Sequence, residues 1–214
     1  MLTGVIALGA VITFGTSKLL SKTVLQGVSA SFALELPPYR RPQIGKVLVR
    51  SLLDRTAFVL GRAVTVAAPA GLVIWLLANI TVGDSSLLRV CAEFLDPFGR
   101  AFGMDGVIIL AFILGFPANE IVLPIMMMIY TGQNTLTEAG SGQIAEIFAA
   151  NGWSGITAVC VIIFMLCHFP CSTTCLTIKK ETGSWKQTGL AMALPTVTGL
   201  LLCGIINGAY HLFI

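Results

Sequence analysis

The sequence predicts an all-α, polytopic helical membrane protein with about four full transmembrane helices and one broken or re-entrant helix pair. Three observations carry this. The 214-residue chain is 56% hydrophobic and 11% charged, with a mean hydropathy of +0.89, whereas soluble domains run at about 45–50% apolar and about 25% charged. Four stretches are apolar for about 20 residues, enough to cross about 30 Å of hydrocarbon at 1.5 Å per residue. A further apolar run, ILAFILGFPANEIVLPIMMMIY (Ile109–Tyr130), is interrupted at its middle by a proline, a carboxamide and a carboxylate.

The first span is Leu2–Leu20, which starts with no basic residue ahead of it and so does not read as a cleavable signal peptide. Behind it come Lys18, Lys22, Arg40, Arg41, Lys46, Arg50 and Arg55, more than half of the 13 basic residues. The positive-inside bias puts this connector in the cytoplasm and the N-terminus outside. Ile44, Val47, Leu48 and Leu52 share one helical face and Lys46 and Arg50 another, which fits a helix on an anionic leaflet as well as it fits a solvated connector. Residues 1–55 are thus one domain, a first transmembrane helix with a basic connector, and residues 56–214 a second.

Thr56–Ile80 is the second span. Leu87, Leu88, Cys91, Phe94, Leu95, Phe98 and Phe102 then form an apolar stripe, with Arg89/Glu93 and Asp96/Arg100 four residues apart. That pattern predicts an amphipathic interfacial helix, bent at Pro97. Next come two apolar arms, Met104–Phe116 and Glu120–Thr131, each rising about 18 Å if helical. They make either one crossing helix broken at its centre or a hairpin with Pro117-Ala118-Asn119 at its tip. Charge favours the hairpin. The loop Gly132–Asn151 carries Glu138 and Glu146 but no Lys or Arg, while Lys179, Lys180 and Lys186 precede the last span. Only re-entry puts both on the expected sides. The remaining spans are Gly152–Pro170, with room to run on to Ile178, and Trp185–Phe213; Trp75, Trp153 and Trp185 lie near span ends.

Two constellations carry chemistry. At Gly-Phe-Pro-Ala-Asn-Glu, Pro117 removes a backbone N–H and Gly115 admits unusual dihedrals, so carbonyls upstream become candidate cation ligands beside Asn119 and Glu120. Irregular backbone at membrane depth is tolerated only in protein or against a wet cavity, and broken helices aimed at a midplane site are a device of transporters. The plainer reading makes Glu120 a cap on the second arm. The second constellation is CHFPCSTTC, where Cys167, Cys171 and Cys175 fall on one face if helical, His168 lies three residues from Cys171, and Pro170 bends the helix. Thiolate and imidazole suit a borderline transition metal, whereas cysteine also serves as a small packing residue. The spacing is not that of a closed zinc site.

Other classes are excluded. The chain has no G-x-x-x-x-G-K-[ST] loop and no G-x-G-x-x-G after a strand. A net charge of +3 gives no reason to expect nucleic acid. The six cysteines, Cys91, Cys160, Cys167, Cys171, Cys175 and Cys203, sit mostly in apolar runs and read as free thiols.

ELPPYR (Glu35–Arg40), GFPANEIVLPI (Gly115–Ile125) and HFPCSTT followed by LTIKKETGSWK (His168–Lys186) together resemble the C-terminal membrane portion of the ferrous iron transport protein B family, over nearly the whole chain. The resemblance implies Fe²⁺ uptake across the bacterial cytoplasmic (inner) membrane, with Fe²⁺ as cargo and no tightly bound cofactor. It makes residues 56–214 a gate-type domain, itself similar to gates of nucleoside carriers. Of the cysteines, Cys171 lies in the matching motif. Full-length members carry an N-terminal GTPase domain and an earlier gate, which this sequence lacks. The chain is therefore expected to be a non-enzymatic half or subunit, with that GTPase and first-gate half, or a second copy, as partner within the lipid. The rival readings are a nucleoside-type carrier and a non-transporting membrane scaffold.

Overall fold

The computed structural model describes residues 2–23, 44–83, 85–134 and 140–213. The Glu35–Arg40 motif, Arg41 and Glu138 lie outside them. The chain divides into two compact units, Met1–Arg55 and Thr56–Ile214. The first contains α1 (Leu2–Thr23) and α2 (Ile44–Arg50), after which a π-helical turn covers Ser51–Ala57. Leu48 and Leu52 of the expected amphipathic face are both exposed.

The second unit begins with α3 (Phe58–Asn79), joined by a short antiparallel ribbon, β1 (Thr81–Val82) and β2 (Ser85–Ser86), to α4 (Leu87–Ala101). Ser86 caps α4 by accepting from the Arg89 amide. Then come α5 (Gly106–Leu114), a 3₁₀ turn at Asn119–Ile121, α6 (Val122–Thr131), α7 (Ser141–Ala150), α8 (Gly155–Cys167), α9 (Ser172–Thr182) and α10 (Trp185–Phe213). Three stretches are long and apolar enough to cross a membrane, Val59–Asn79, Gly155–Thr182 and Trp185–Leu212, and Thr3–Leu19 is a shorter apolar helix. The protein is therefore an all-α, multi-pass membrane protein.

α4 is amphipathic as expected, and Pro97 lies inside it without ending the helix. Both Pro97 and Glu93, whose carbonyl loses its partner to the ring, are exposed, so the missing bond falls on the outer side of the helix. A large turn comes at residues 102–105, where α4 and α5 meet at 109°. Gly103 takes φ +73° there, and the Asn207 side-chain amide of α10 donates to the carbonyls of Arg100 and Ala101, serving the open end of α4. An interfacial helix followed by a membrane-directed one needs a corner of about this size.

The core forms around α5, which is apolar all round and buried on most sides. Ile108, Ala111, Ile125 and Cys160 have no exposed surface, and Phe112 stacks edge-on against Phe164 of α8 with ring centroids 4.7 Å apart. Met126, Met127 and Met128 are all buried. The contact between α4 and α5 depends on Gly106: a Cβ there would lie 1.9 Å from the Ala92 carbonyl oxygen and 2.6 Å from the Asp96 amide nitrogen. Both obstacles are backbone and do not give way. Gly106→Ala is expected to lower the thermal midpoint of the detergent-solubilised chain strongly, by more than the about 1–3 kcal/mol typical of overpacking, whereas Gly189→Ala, which meets nothing within 4 Å, leaves it unchanged or raises it slightly. Static light scattering during a thermal ramp distinguishes the two.

Candidate functional site

Both ends of the broken pair close on one another. Asp105 caps α5 through Oδ1, which accepts from the Ile108 amide at 2.8 Å, while its Oδ2 accepts from the Tyr130 hydroxyl in the last turn of α6. Tyr130 in turn accepts from Trp153 Nε1 at 2.8 Å, and Asp96 accepts from the Gly106 amide and pairs with Arg100 at 2.6 Å. The start of α5 and the end of α6 therefore meet, and the chain returns to the side from which it entered. It is a hairpin, not a crossing helix. Trp, Tyr and paired charges at its mouth, with amphipathic α4 beside them, are the groups that favour a membrane–water interface.

α5 has nine residues, so its tip lies about 14 Å from the mouth, about half the thickness of a 30 Å hydrocarbon core. At the tip, Gly115 has ordinary dihedrals (φ −74°, ψ −4°), contrary to the expectation of unusual ones. It is glycine for space: a Cβ would fall 2.3 Å from Val122 Cγ2 and 2.9 Å from the Ala111 oxygen. The Gly115–Pro117 turn is closed by the Ala118 amide donating to the Gly115 carbonyl at 3.0 Å.

A second break faces the first. α8 stops at Cys167, residues 168–171 are extended, and α9 begins at Ser172. Here Ser172 joins the two: its amide donates to the Phe116 carbonyl at 2.9 Å and its hydroxyl to the Pro117 carbonyl at 3.3 Å. Of the carbonyls upstream of Pro117, those of Ile113, Gly115 and Phe116 each accept a bond within the protein. Phe116 and Phe169 also meet, with centroids 5.6 Å apart. Beside the tip, Ala67, Ala70, Gly71 and Ile74 of α3 face Pro117, Ala118 and Ile121 across an apolar groove of about 430 Å³.

The break changes how the second constellation is arranged. Cys167, Cys171 and Cys175 do not share one helical face, because Pro170 interrupts the helix between them. Cys167 is buried and turns toward α10, where a Cβ on Gly199 would lie 3.0 Å from its own Cβ. Cys171 is half-buried in the cap position of α9, its Sγ 3.1 Å from both the Thr173 and Thr174 hydroxyls. Cys175 is buried and donates to the Pro170 carbonyl at 3.4 Å. The His168 ring is set between Phe112, Phe164 and Phe169. Its Nδ1 lies 2.8 Å from the Met165 carbonyl, which can only accept, so Nδ1 donates the proton of that bond and Nε2 is the ring nitrogen left without a partner.

Two buried polar atoms are without a hydrogen-bond partner among the described residues, Asn119 Oδ1 and His168 Nε2. An orphan of this kind is costly unless a ligand, ion or water serves it. Glu120 is exposed at the tip and caps nothing: among the described residues it makes neither hydrogen bond nor ion pair. No three His, Cys, Asp or Glu side chains among the described residues are grouped as around a metal ion. Sequence reasoning offered Ser172 only as a hydroxyl beside the cysteines and not as the tether to Phe116 and Pro117, and it missed Arg62, whose Nη2 donates to the Thr173 carbonyl at 2.7 Å. A lone arginine four residues into an apolar span was the available signal.

Residues 60–185 match the Gate family, described as nucleoside recognition, and residues 2–54 match the ferrous iron transport protein B C terminus. Among curated proteins, the chain is 33% identical over 97% of its length to the Fe(2+) transporter FeoB of Staphylococcus aureus (strain COL), covering 31% of that relative. It is 29% identical to the FeoB of Synechocystis over 84% of the chain and 28% of the relative. A third relative, from Porphyromonas gingivalis, is a fusion of Fe(2+) transport protein A with FeoB, 24% identical over 87% of the chain and 28% of the relative. The chain thus spans under a third of the length of these relatives. No solved structure gave a significant match.

Ser172→Pro isolates the tether between the breaks. Proline is well tolerated at the first helical position, and Cys171, at φ −60° and ψ 159°, already has the conformation a following proline imposes. The substitution removes the N–H to Phe116 without breaking α9. Amide exchange at Phe116, Ala118 and Asn119 is expected to accelerate at least tenfold while that of α8 stays unchanged, read by hydrogen–deuterium exchange mass spectrometry.

Proposed function

Since the chain belongs to the Gate family and corresponds to the C-terminal portion of ferrous iron transport protein B, we propose that it lines part of a path for Fe²⁺ across the bacterial cytoplasmic membrane. The observation that supports this most is the meeting of two helix breaks, with two orphaned polar atoms, Asn119 Oδ1 and His168 Nε2, at the breaks themselves. Such a pair of breaks brings oxygen, imidazole and thiol donors to mid-membrane depth, where water has to be replaced around a moving ion. Imidazole and thiol are softer than the all-oxygen surroundings that Mg²⁺ and Ca²⁺ prefer, which favours a transition metal.

In this reading Glu120 and Asn119 form one station at the hairpin tip, and Cys171 with His168 forms a second at the facing break. Cys175 and Cys167 support the second from within the packing, since both thiols are buried and one is engaged by Pro170. Stations short of a full ligand set suit conduction, because an ion held by a complete cage does not leave. Gly115, Pro117 and Pro170 maintain the breaks.

Glu120 also argues for a partner. A carboxylate at this depth costs about 2.5–3.5 kcal/mol even on lenient insertion scales, and this chain offers it no counter-charge among the described residues. The far wall of the passage is then supplied by another gate, in the remaining two-thirds of a full-length transporter or in a second copy.

Glu120→Gln and Cys171→Ser, introduced into the assembled transporter, are each expected to lower the initial rate of ⁵⁵Fe²⁺ uptake at least tenfold at equal expression. Excess Mn²⁺ competes in the unmodified transporter and uridine does not. Undiminished uptake by both variants removes the assignment, and competition by uridine turns it toward a nucleoside carrier.

A further inference from the structure

Arg62 has no assigned role, and its placement is unusual. It is the fourth residue of the span Val59–Asn79, close enough to the span's end for a long side chain to reach the lipid headgroups. Instead it is half-buried, with Nη2 on the carbonyl of Thr173 at 2.7 Å. That carbonyl is not in need of a donor. It lies in the first turn of α9 and already accepts the Thr177 hydroxyl at 2.9 Å. No carboxylate pairs with Arg62 among the described residues, so the guanidinium keeps its whole positive charge. Thr173 is also one of the two hydroxyl neighbours of the Cys171 thiol. The charge is therefore fixed on the same residue that flanks the thiol station.

A fixed cation there repels any metal ion that arrives at Cys171, and in a partly buried site the repulsion is screened far less than in water. Resting on the transport reading above, we infer that Arg62 sets the affinity of the Cys171 station, keeping it weak enough for a divalent cation to pass through rather than lodge. Arg62 is in this sense a positioning residue for a charge, acting on the ion through space and not as a ligand. The five-donor guanidinium held by a single bond is suited to that task, because its position is fixed while its charge is not neutralised.

The test uses the purified full chain in detergent, titrated anaerobically with Co²⁺, whose thiolate-to-metal charge-transfer band reports binding to sulfur. Arg62→Gln and Arg62→Met remove the charge, and Arg62→Lys keeps it. Both neutral variants are expected to bind Co²⁺ at least tenfold more tightly than the unmodified chain, with Arg62→Lys within about twofold of it. Two neutral side chains of different shape guard against one of them failing to fold. Unchanged affinity in both neutral variants overturns the inference, as does an equal shift in Arg62→Lys, which would assign the effect to the contact with Thr173 and not to charge. The control is Cys171→Ser. If the charge-transfer band is missing from the unmodified chain or survives that substitution, the thiol station itself falls, and the inference with it; if the band behaves as expected, only Arg62 is on trial.

Discussion

A backbone carbonyl in hydrocarbon has no water to bond with, and that constraint orders this membrane domain. Each helix break releases carbonyls and amides that must find protein partners. Here the two breaks solve the problem for each other. The Ser172 amide, free because it opens α9, is the donor for the Phe116 carbonyl in the turn beyond α5, and the Ser172 hydroxyl does the same for Pro117. The depths of the two breaks agree because both helices start from one anchored corner, where Asp105, Tyr130 and Trp153 are linked by hydrogen bonds.

Once the backbone is accounted for, the side chains fall into two groups. The thiols of Cys160 and Cys203 are fully buried and each faces the other's carbonyl, Cys203 Sγ at 3.2 Å, so they serve the packing of α8 against α10. Cys167 fills the space left by Gly199, and Cys175 returns to Pro170. Cys171 differs in being half-buried at the break itself, with hydroxyls as its only side-chain hydrogen-bond partners among the described residues. His168 differs in holding one nitrogen in place through Met165 while the other goes unmet. The groups proposed to meet the ion are the ones whose bonding the fold leaves incomplete.

The hairpin was legible because it is written twice, once in the interruption of an apolar run and once in the distribution of lysines and glutamates around it. The interfacial helix was legible from its stripe, but not the corner after it, which depends on Gly103 and on Asn207, a residue more than a hundred positions away. Gly115 was rightly singled out for the wrong reason, since a sequence shows that a side chain is missing but not whether dihedrals or a neighbouring Val122 require it. The shared face of Cys167, Cys171 and Cys175 assumed that the helix survives Pro170. Ser172 was legible only as a nearby hydroxyl and Arg62 only as a charge in an apolar span; the partners of both are tertiary. Nothing local distinguishes a serine that bridges two breaks from one that merely begins a helix.

The exposure of Glu120 sets the limit of what one chain of this kind can do. The hairpin buries the inner faces of both its helices, yet Glu120 is exposed at its tip. Were this chain to enclose a passage unaided, the carboxylate would be expected to face inward, toward the break that carries Cys171. An outward carboxylate at mid-depth is tolerable only if water or another protein surface covers it. A second gate opposite the tip meets both needs, since it shields Glu120 from lipid and leaves a hydrated seam between the two. On the transport reading proposed above, the tether at Ser172 fixes one wall, the guanidinium of Arg62, without a carboxylate among the described residues, keeps that wall from retaining the ion, and the opposing wall completes the coordination.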